Sequence, residues 1–214
     1  MYPLPDVVSD AKTHVLDDAA VAEALRVHGA CRLPGWPGPD LRAELRTDLE
    51  QAQAAGALRP ASVGRGAARG LHTGIRHDTT LWLDDPRCGA PARAFLARLD
   101  ALRSDLNRLL YLGLDDCEAH YAAYPPGGGY ARHRDRFRDS DARVVTLVSY
   151  LNEDWREDDG GHLRLWLEDG TVTTLLPAGG SVCFLSELEH EVLPARRERF
   201  SIAAWFRRDG GGLR

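Results

Sequence analysis

His133 and Asp135 stand two apart in the segment GYARHRDRF, and a second histidine, His190, follows much later in SELEHEVLPARRERF. On a β-strand, residues i and i+2 leave the same face, so the His133 imidazole and the Asp135 carboxylate can reach one cation. An H-x-D pair alone arises often by chance; His190 makes it a set. Two imidazoles and one carboxylate form the facial arrangement that holds non-haem Fe(II) and leaves positions open for a chelating cosubstrate and dioxygen. A zinc hydrolase could use similar ligands, but no H-E-x-x-H helix is present to supply its general base. Arg199, nine residues past His190, adds a planar fork that can bind a carboxylate bidentately. A 2-oxo acid chelating the iron through its keto acid end would extend its far carboxylate towards such a cation. In the opposite strand phase, Arg132, Arg134, Arg136 and Arg138 are placed to meet solvent, an acidic partner or a substrate.

These residues need a scaffold of strands, and the periodicity supplies one. From about residue 118 the chain reads as eight short runs of alternating character: EAHYAAY, GYARHRD, RVVTLVSYLN, HLRLWLE, TVTTLL, GSVCFL, HEVLP and RFSIAAWFRR. Before them, residues 15–28, about 40–55 and 91–111 repeat apolar side chains at helical intervals, with Pro39 and Pro91 near starts and Gly29, Gly56 and Gly113 just past ends. With no helix between the later strands, a parallel α/β sheet is excluded. The pattern predicts a mainly β fold, an antiparallel double-sheet barrel or jelly roll, with N-terminal helices packed on one outer face. We expect one domain over residues 1–214, with helical support in 1–117 and the jelly-roll core in 118–208. The Gly-, Ala- and Arg-rich stretch at about 57–80, between two short strands, reads as a lid.

Composition narrows the function. The chain has 214 residues, 43% hydrophobic and 28% charged, with 27 basic against 32 acidic residues and a net charge of −5. No general positive field exists to attract nucleic acid or an anionic membrane. No apolar run is long enough for a membrane helix, and the acidic start MYPLPDVVSD is unlike a signal peptide. Cys31, Cys88, Cys117 and Cys183 are scattered without a C-x-x-C pair, as expected of reduced cytoplasmic thiols. Lys12 is the single lysine, an arginine bias expected of a GC-rich bacterial genome.

The segments YPPGGGYARHRD, RVVTLVSYLNEDW, GGHLRL and HEVLPARRERFSIAAWF cover about ninety residues, and together they resemble the 2-oxoglutarate and Fe(II)-dependent prolyl hydroxylases. The likeness is to the oxygen-sensing, hypoxia-inducible factor type and its bacterial relatives, and IRHDTTLWLDD extends it upstream. The resemblance implies a double-stranded β-helix of cupin-like form. It implies Fe(II) on His133, Asp135 and His190, with the distal carboxylate of 2-oxoglutarate on Arg199 and Tyr150. Tyr124 would lie near the chelating end, with Leu163, Val192 and Trp205 as apolar walls. Asp78 and Arg143 match a pair that clasps the lid to the barrel beside the peptide site. Arginine at nine residues past the distal histidine separates the chain from the collagen type, where lysine follows at ten. The carboxylate at Asp135 separates it from halogenases. Two departures stand out: the Tyr124 to His133 stretch is one residue shorter than in the animal enzymes, and Ala203 replaces a small hydroxyl residue.

The activity implied is oxidation of 2-oxoglutarate by O2 to succinate and carbon dioxide, coupled to hydroxylation of a proline in a protein, with ascorbate as supporting reductant. Elongation factor Tu is the substrate that the bacterial resemblance suggests. Hydroxylation of a free amino acid or other small molecule, and a non-catalytic domain that senses iron and 2-oxoglutarate, are the competing expectations.

Overall fold

The computed structural model describes residues 4–10, 15–61, 75–136 and 142–208. Arg138, His14, His72 and the middle of the expected lid, 62–74, lie outside the described residues.

Three helices form where the periodicity places them: α1 (Asp18–His28), α2 (Pro39–Ala54) and α3 (Ala90–Leu110). Asp17 begins α1, its carboxylate accepting from the Ala20 N–H at 3.0 Å, so the helix starts after the aspartate rather than at residue 15. Gly29 ends it in the left-handed region, its N–H returned to the Leu25 carbonyl. Each helix has a buried stripe at intervals of three and four residues: Val21 and Leu25, then Leu41, Leu45 and Leu49, then Phe95, Leu99, Leu102 and Leu106.

The strands β1 (Ala30–Pro34), β2 (Arg59–Pro60), β3 (Thr79–Trp82), β4 (Asp116–Tyr124), β5 (Tyr130–His133), β6 (Arg143–Tyr150), β7 (Leu163–Trp166), β8 (Val172–Leu175), β9 (Gly180–Leu185), β10 (His190–Val192) and β11 (Arg199–Arg207) form two sheets. The larger runs β1-β9-β6-β11-β4-β3-β2 and the smaller β5-β10-β7-β8. Every pairing within them is antiparallel, which is the jelly-roll arrangement expected from the alternating runs.

Strand β11, central in the larger sheet, shows how one sequence serves two layers. Phe200, Ile202, Ala204 and Phe206 join the helix stripes in one apolar cluster. Arg199, Ser201, Ala203 and Trp205 alternate with them and leave the opposite face. A second cluster fills the space between the sheets, drawing Tyr124, Val148, Tyr150 and Phe184 from the larger and Leu163, Leu165, Leu175 and Val192 from the smaller.

The first half of the chain is more than helical support. The short run ACRLP forms β1 and pairs with β9, while β2 and β3 add the far edge beyond β4. The ends of the expected lid therefore belong to the sheet: Arg59 pairs with Thr80, and the Ala61 N–H donates to the Asp78 carbonyl at 2.9 Å. Ala57, Ala61 and Asp78 are buried. No helix among the described residues is long and apolar enough to cross a membrane.

Leu99 is fully buried where α3 meets the large sheet. Leu99→Ala should cost about 2–5 kcal/mol of unfolding free energy in urea titrations, while the exposed Ala94→Ser should stay within about 0.5 kcal/mol.

Candidate active site

The smaller sheet brings the two histidines together, because β10 pairs with β5 so that His190 lies directly across from His133. Their ring centroids are 4.2 Å apart. His133 Nδ1 lies 2.8 Å from the Ala131 carbonyl, and His190 Nδ1 lies 3.1 Å from the Leu188 carbonyl. A carbonyl only accepts, so each proton sits on Nδ1 and each Nε2 presents a lone pair. Both lone pairs face one carboxylate: His133 Nε2 is 3.6 Å from Asp135 Oδ1, and His190 Nε2 is 3.4 Å from Asp135 Oδ2. One ligand atom from each residue lies within 4.8 Å of the others, a donor set that fits a divalent cation.

Asp135 reaches this point differently from the expectation. Strand β5 ends at His133, and Asp135 sits in the bend that follows rather than two positions along a strand. The bend is tied down by the Arg136 N–H donating to the Ser186 carbonyl at 3.0 Å. Thr146 Oγ1 donates to Asp135 Oδ2 at 2.9 Å and lies 2.8 Å from Ser186 Oγ, which orients the carboxylate from β6. Burial would raise the Asp135 carboxyl, but His190, His133 and Arg143 outweigh it and hold the group well below the usual carboxylate range. Burial also lowers His190 to about 4, against the pull of Asp135, so the ring is neutral near neutrality.

The flanking arginines find an acidic partner within the chain. Arg132 and Arg134 pair with Glu189, Arg136 pairs with Glu187, and the Arg132 guanidinium lies 4.0 Å over the Trp166 ring. They tie the end of β5 to the turn that carries His190.

Across the barrel, β11 lies between β4 and β6 with Arg199 opposite Tyr124 and Ser201 opposite Tyr150. Arg199 is 1% exposed. Its Nε donates to the Gly161 carbonyl at 2.9 Å and its Nη1 to Ser201 Oγ at 3.1 Å. Nη2 has no partner among the described residues, and the Tyr150 hydroxyl is likewise buried and unpartnered. Burial pushes Tyr150 up to about 12, opposed by Arg199, so its hydroxyl keeps a proton to donate. A buried cation without a carboxylate costs several kcal/mol; an anionic ligand end would complete it. Gly161 makes room, since a Cβ there would come within 3.2 Å of Arg199 Cδ and 3.3 Å of the Trp155 ring.

Leu163 lies opposite Val192, two residues past His190, and both join Tyr124 and Tyr150 in the inter-sheet cluster. That apolar wall spans from the metal strand to the arginine. Trp205 is buried further along the Arg199 face of β11, its indole N–H unpartnered.

The expected Asp78–Arg143 clasp is a different pairing. Asp78 accepts a bidentate bond from Arg76 at 2.6 and 2.8 Å. Arg143 donates to Glu118 at 2.7 and 2.9 Å and lies 3.7 Å over the Trp205 ring. Arg76 is two residues from Asp78, and Glu118 on β4 meets the Arg143 side chain across the intervening β11. His120 is buried, with ring contacts to Trp82 at 5.2 Å and Trp205 at 5.1 Å. Its phase on β4, four residues from Tyr124, was the available signal. Nothing local marks Thr146 or Arg76.

A profile of the 2OG-Fe(II) oxygenase superfamily matches residues 119–207. A prolyl-4-hydroxylase structure from Pseudomonas putida is 44% identical, with a TM-score of 0.81 over 89% of this chain and 98% of that one. The chain belongs to the 2-oxoglutarate and Fe(II)-dependent oxygenases, on their prolyl hydroxylase branch. A prolyl hydroxylase structure from Trichoplax adhaerens, in complex with a hypoxia inducible factor oxygen degradation domain peptide fragment, is 29% identical with a TM-score of 0.78, covering 89% of this chain and 88% of that one. Human prolyl hydroxylase EGLN3 is 27% identical over 201 residues, 87% of this chain and 81% of its own length. The Caenorhabditis elegans hypoxia-inducible factor prolyl hydroxylase is 32% identical over 143 residues, 62% of this chain, which spans only 20% of that longer relative.

In this family member, Thr146→Val removes the donor that orients Asp135 while keeping its shape. Metal affinity should fall about 10–100-fold in a Co(II) titration, with the fold kept by circular dichroism. Acid should also destabilise the protein through His120, which burial, helped by Arg76, lowers from 6.5 to about 4. The unfolded chain takes up this proton below about 6.5 and the folded chain only near 4, so stability falls with pH across that window. Urea midpoints should drop from pH 7 to 5, and His120→Gln should drop less.

Proposed function

We propose that this protein is a 2-oxoglutarate-dependent dioxygenase that hydroxylates proline in a protein substrate. The observation that carries the reading is the buried Arg199 guanidinium with an unpartnered Nη2, facing the same inter-sheet space as the unpartnered Tyr150 hydroxyl. A dicarboxylic cosubstrate whose far end needs two donors fits this pair, and the His133, Asp135, His190 set fits Fe(II).

His133 and His190 would hold the metal through Nε2 and Asp135 through one oxygen, with Thr146 fixing the carboxylate. Bound Fe(II) supplies the oxidising chemistry: O2 is consumed, 2-oxoglutarate becomes succinate and carbon dioxide, and a substrate C–H becomes C–OH. Arg199 and Tyr150 anchor the distal carboxylate and Tyr124 lies towards the chelating end. Leu163, Val192 and Trp205 exclude water from the reacting centre. The segment around 57–80, its ends paired in the sheet, is the part we assign to closing over the substrate.

The protein substrate is supported by the peptide complex of the Trichoplax adhaerens relative. Elongation factor Tu is the first protein to try, and ascorbate the reductant to include. A reducing, cytoplasmic setting fits four cysteines with no disulfide.

Purified protein with Fe(II), 2-oxoglutarate, ascorbate and air should add one oxygen to a proline of a lysate protein, read by peptide mass spectrometry. The addition and substrate-stimulated succinate should both vanish in Asp135→Ala. Succinate release without any protein gaining oxygen would move the substrate to small molecules, and absence of turnover would leave a binding domain. Arg199→Lys loses one charge-assisted bond worth about 2 kcal/mol, so the 2-oxoglutarate KM should rise roughly 30-fold.

A further inference from the structure

The chain upstream of β3 runs beside the metal strand. Arg76 forms an isolated antiparallel bridge with Tyr130, the Ala131 N–H donating to the Ile75 carbonyl at 2.9 Å and the His77 N–H to the Gly129 carbonyl at 3.2 Å. This places the Arg76 backbone, and two buried partners place its guanidinium. Asp78, with its side chain fully buried, takes Nε and Nη2 at 2.6 and 2.8 Å. His120 Nε2 lies 3.3 Å from the same Nη2. The acceptor role of that nitrogen follows from its neighbour: His120 Nδ1 lies 3.0 Å from the Tyr121 carbonyl, which only accepts, so Nδ1 carries the proton and Nε2 offers a lone pair.

Held in this way, the Arg76 guanidinium lies 4.9 Å from the Tyr130 ring centroid. Tyr130 in turn stacks on the His133 imidazole, with centroids 3.6 Å apart and planes 17° apart. The two histidines differ in what holds them. His190 is 6% exposed at its side chain and packs edge-on to Phe184 at 4.9 Å, whereas His133 is 17% exposed at its side chain and ends its strand. One hydrogen bond from Nδ1 leaves an imidazole free to swing about that bond; a stacked ring removes the freedom.

We infer that Arg76 is a positioning residue of the metal site: anchored by Asp78 and His120, it holds Tyr130 against the His133 imidazole and so sets the plane of that ligand. The inference rests on His133 being a metal ligand. It also gives Asp78 a role through Arg76, so that the segment leading into β3 reports to the metal through a side-chain stack.

The test is Co(II) binding to the metal-free protein, followed by its visible absorbance, which needs no turnover. Arg76→Ala and Tyr130→Leu should each weaken Co(II) about tenfold. The double variant should be little worse than either single one, since both cut the same chain of contacts. Arg76→Lys keeps the charge without the planar fork and should behave like Arg76→Ala. His120→Leu should weaken binding, and His120→Gln, which restores an acceptor for Nη2, should recover most of it. Circular dichroism and metal-free melting identify variants that remain folded. A folded Arg76→Ala protein with unchanged Co(II) affinity and spectrum, or strictly additive Arg76 and Tyr130 effects, overturns the inference. Wild-type protein that binds no Co(II), or His133→Ala that binds it equally well, overturns the metal assignment itself and the inference with it.

Discussion

The period-two alternation of β11 is the constraint on which the rest of the structure depends. Its even residues from Phe200 to Phe206 close the helix-side core, and its odd residues from Arg199 to Trp205 face the inter-sheet space. A slip of one residue would put an arginine among the helix stripes and phenylalanines into the pocket. Two flanking strands hold the register, with Arg199 opposite Tyr124 and Ser201 opposite Tyr150. The helices therefore serve the site at a distance: by covering one face of the sheet they commit the other to chemistry.

On that inner face the protein buries charge at both ends of one space. Arg199 is a cation with one hand empty, while Asp135 is an anion surrounded by imidazoles. The Arg199 guanidinium is costly while it is buried without an anion, and a dicarboxylate would complete it. Asp135 is already held ionised, with Thr146 donating to it, so it is ready to meet a cation. Leu163, Val192 and Tyr124 keep the space between the two apolar.

The metal strand needs support from outside its own sheet. The Arg132, Arg134 and Arg136 pairs to Glu189 and Glu187 tie the end of β5 to the His190 turn. Thr146 reaches Asp135 from β6 in the other sheet, and the Arg76 to Tyr130 stack approaches from the chain before β3. Three ligands from two short strands and a bend are fixed by neighbours from several elements, which is how an otherwise loose facial triad is pre-organised.

Local sequence marked the three helices, the later strands and the two histidines and carboxylate that the fold brings together. Helical periodicity marked α1, α2 and α3, and alternation marked the eight later strands, because both patterns follow from which faces must be buried. The types and order of His133, Asp135, His190 and Arg199 pointed to iron and a 2-oxo acid before any fold was known, since few side-chain sets suit that pair of ligands. Tertiary structure decided what depends on distant partners. Strand β1 exists because β9 offers it an edge. Asp135 arrives through a bend rather than along a strand. Asp78 chose Arg76, and Arg143 chose Glu118, because buried charges pair with whatever opposite charge folding brings within reach. Thr146 and Arg76 carry no local mark; a hydroxyl or a guanidinium becomes part of a site only when folding closes the water out and brings distant partners within reach.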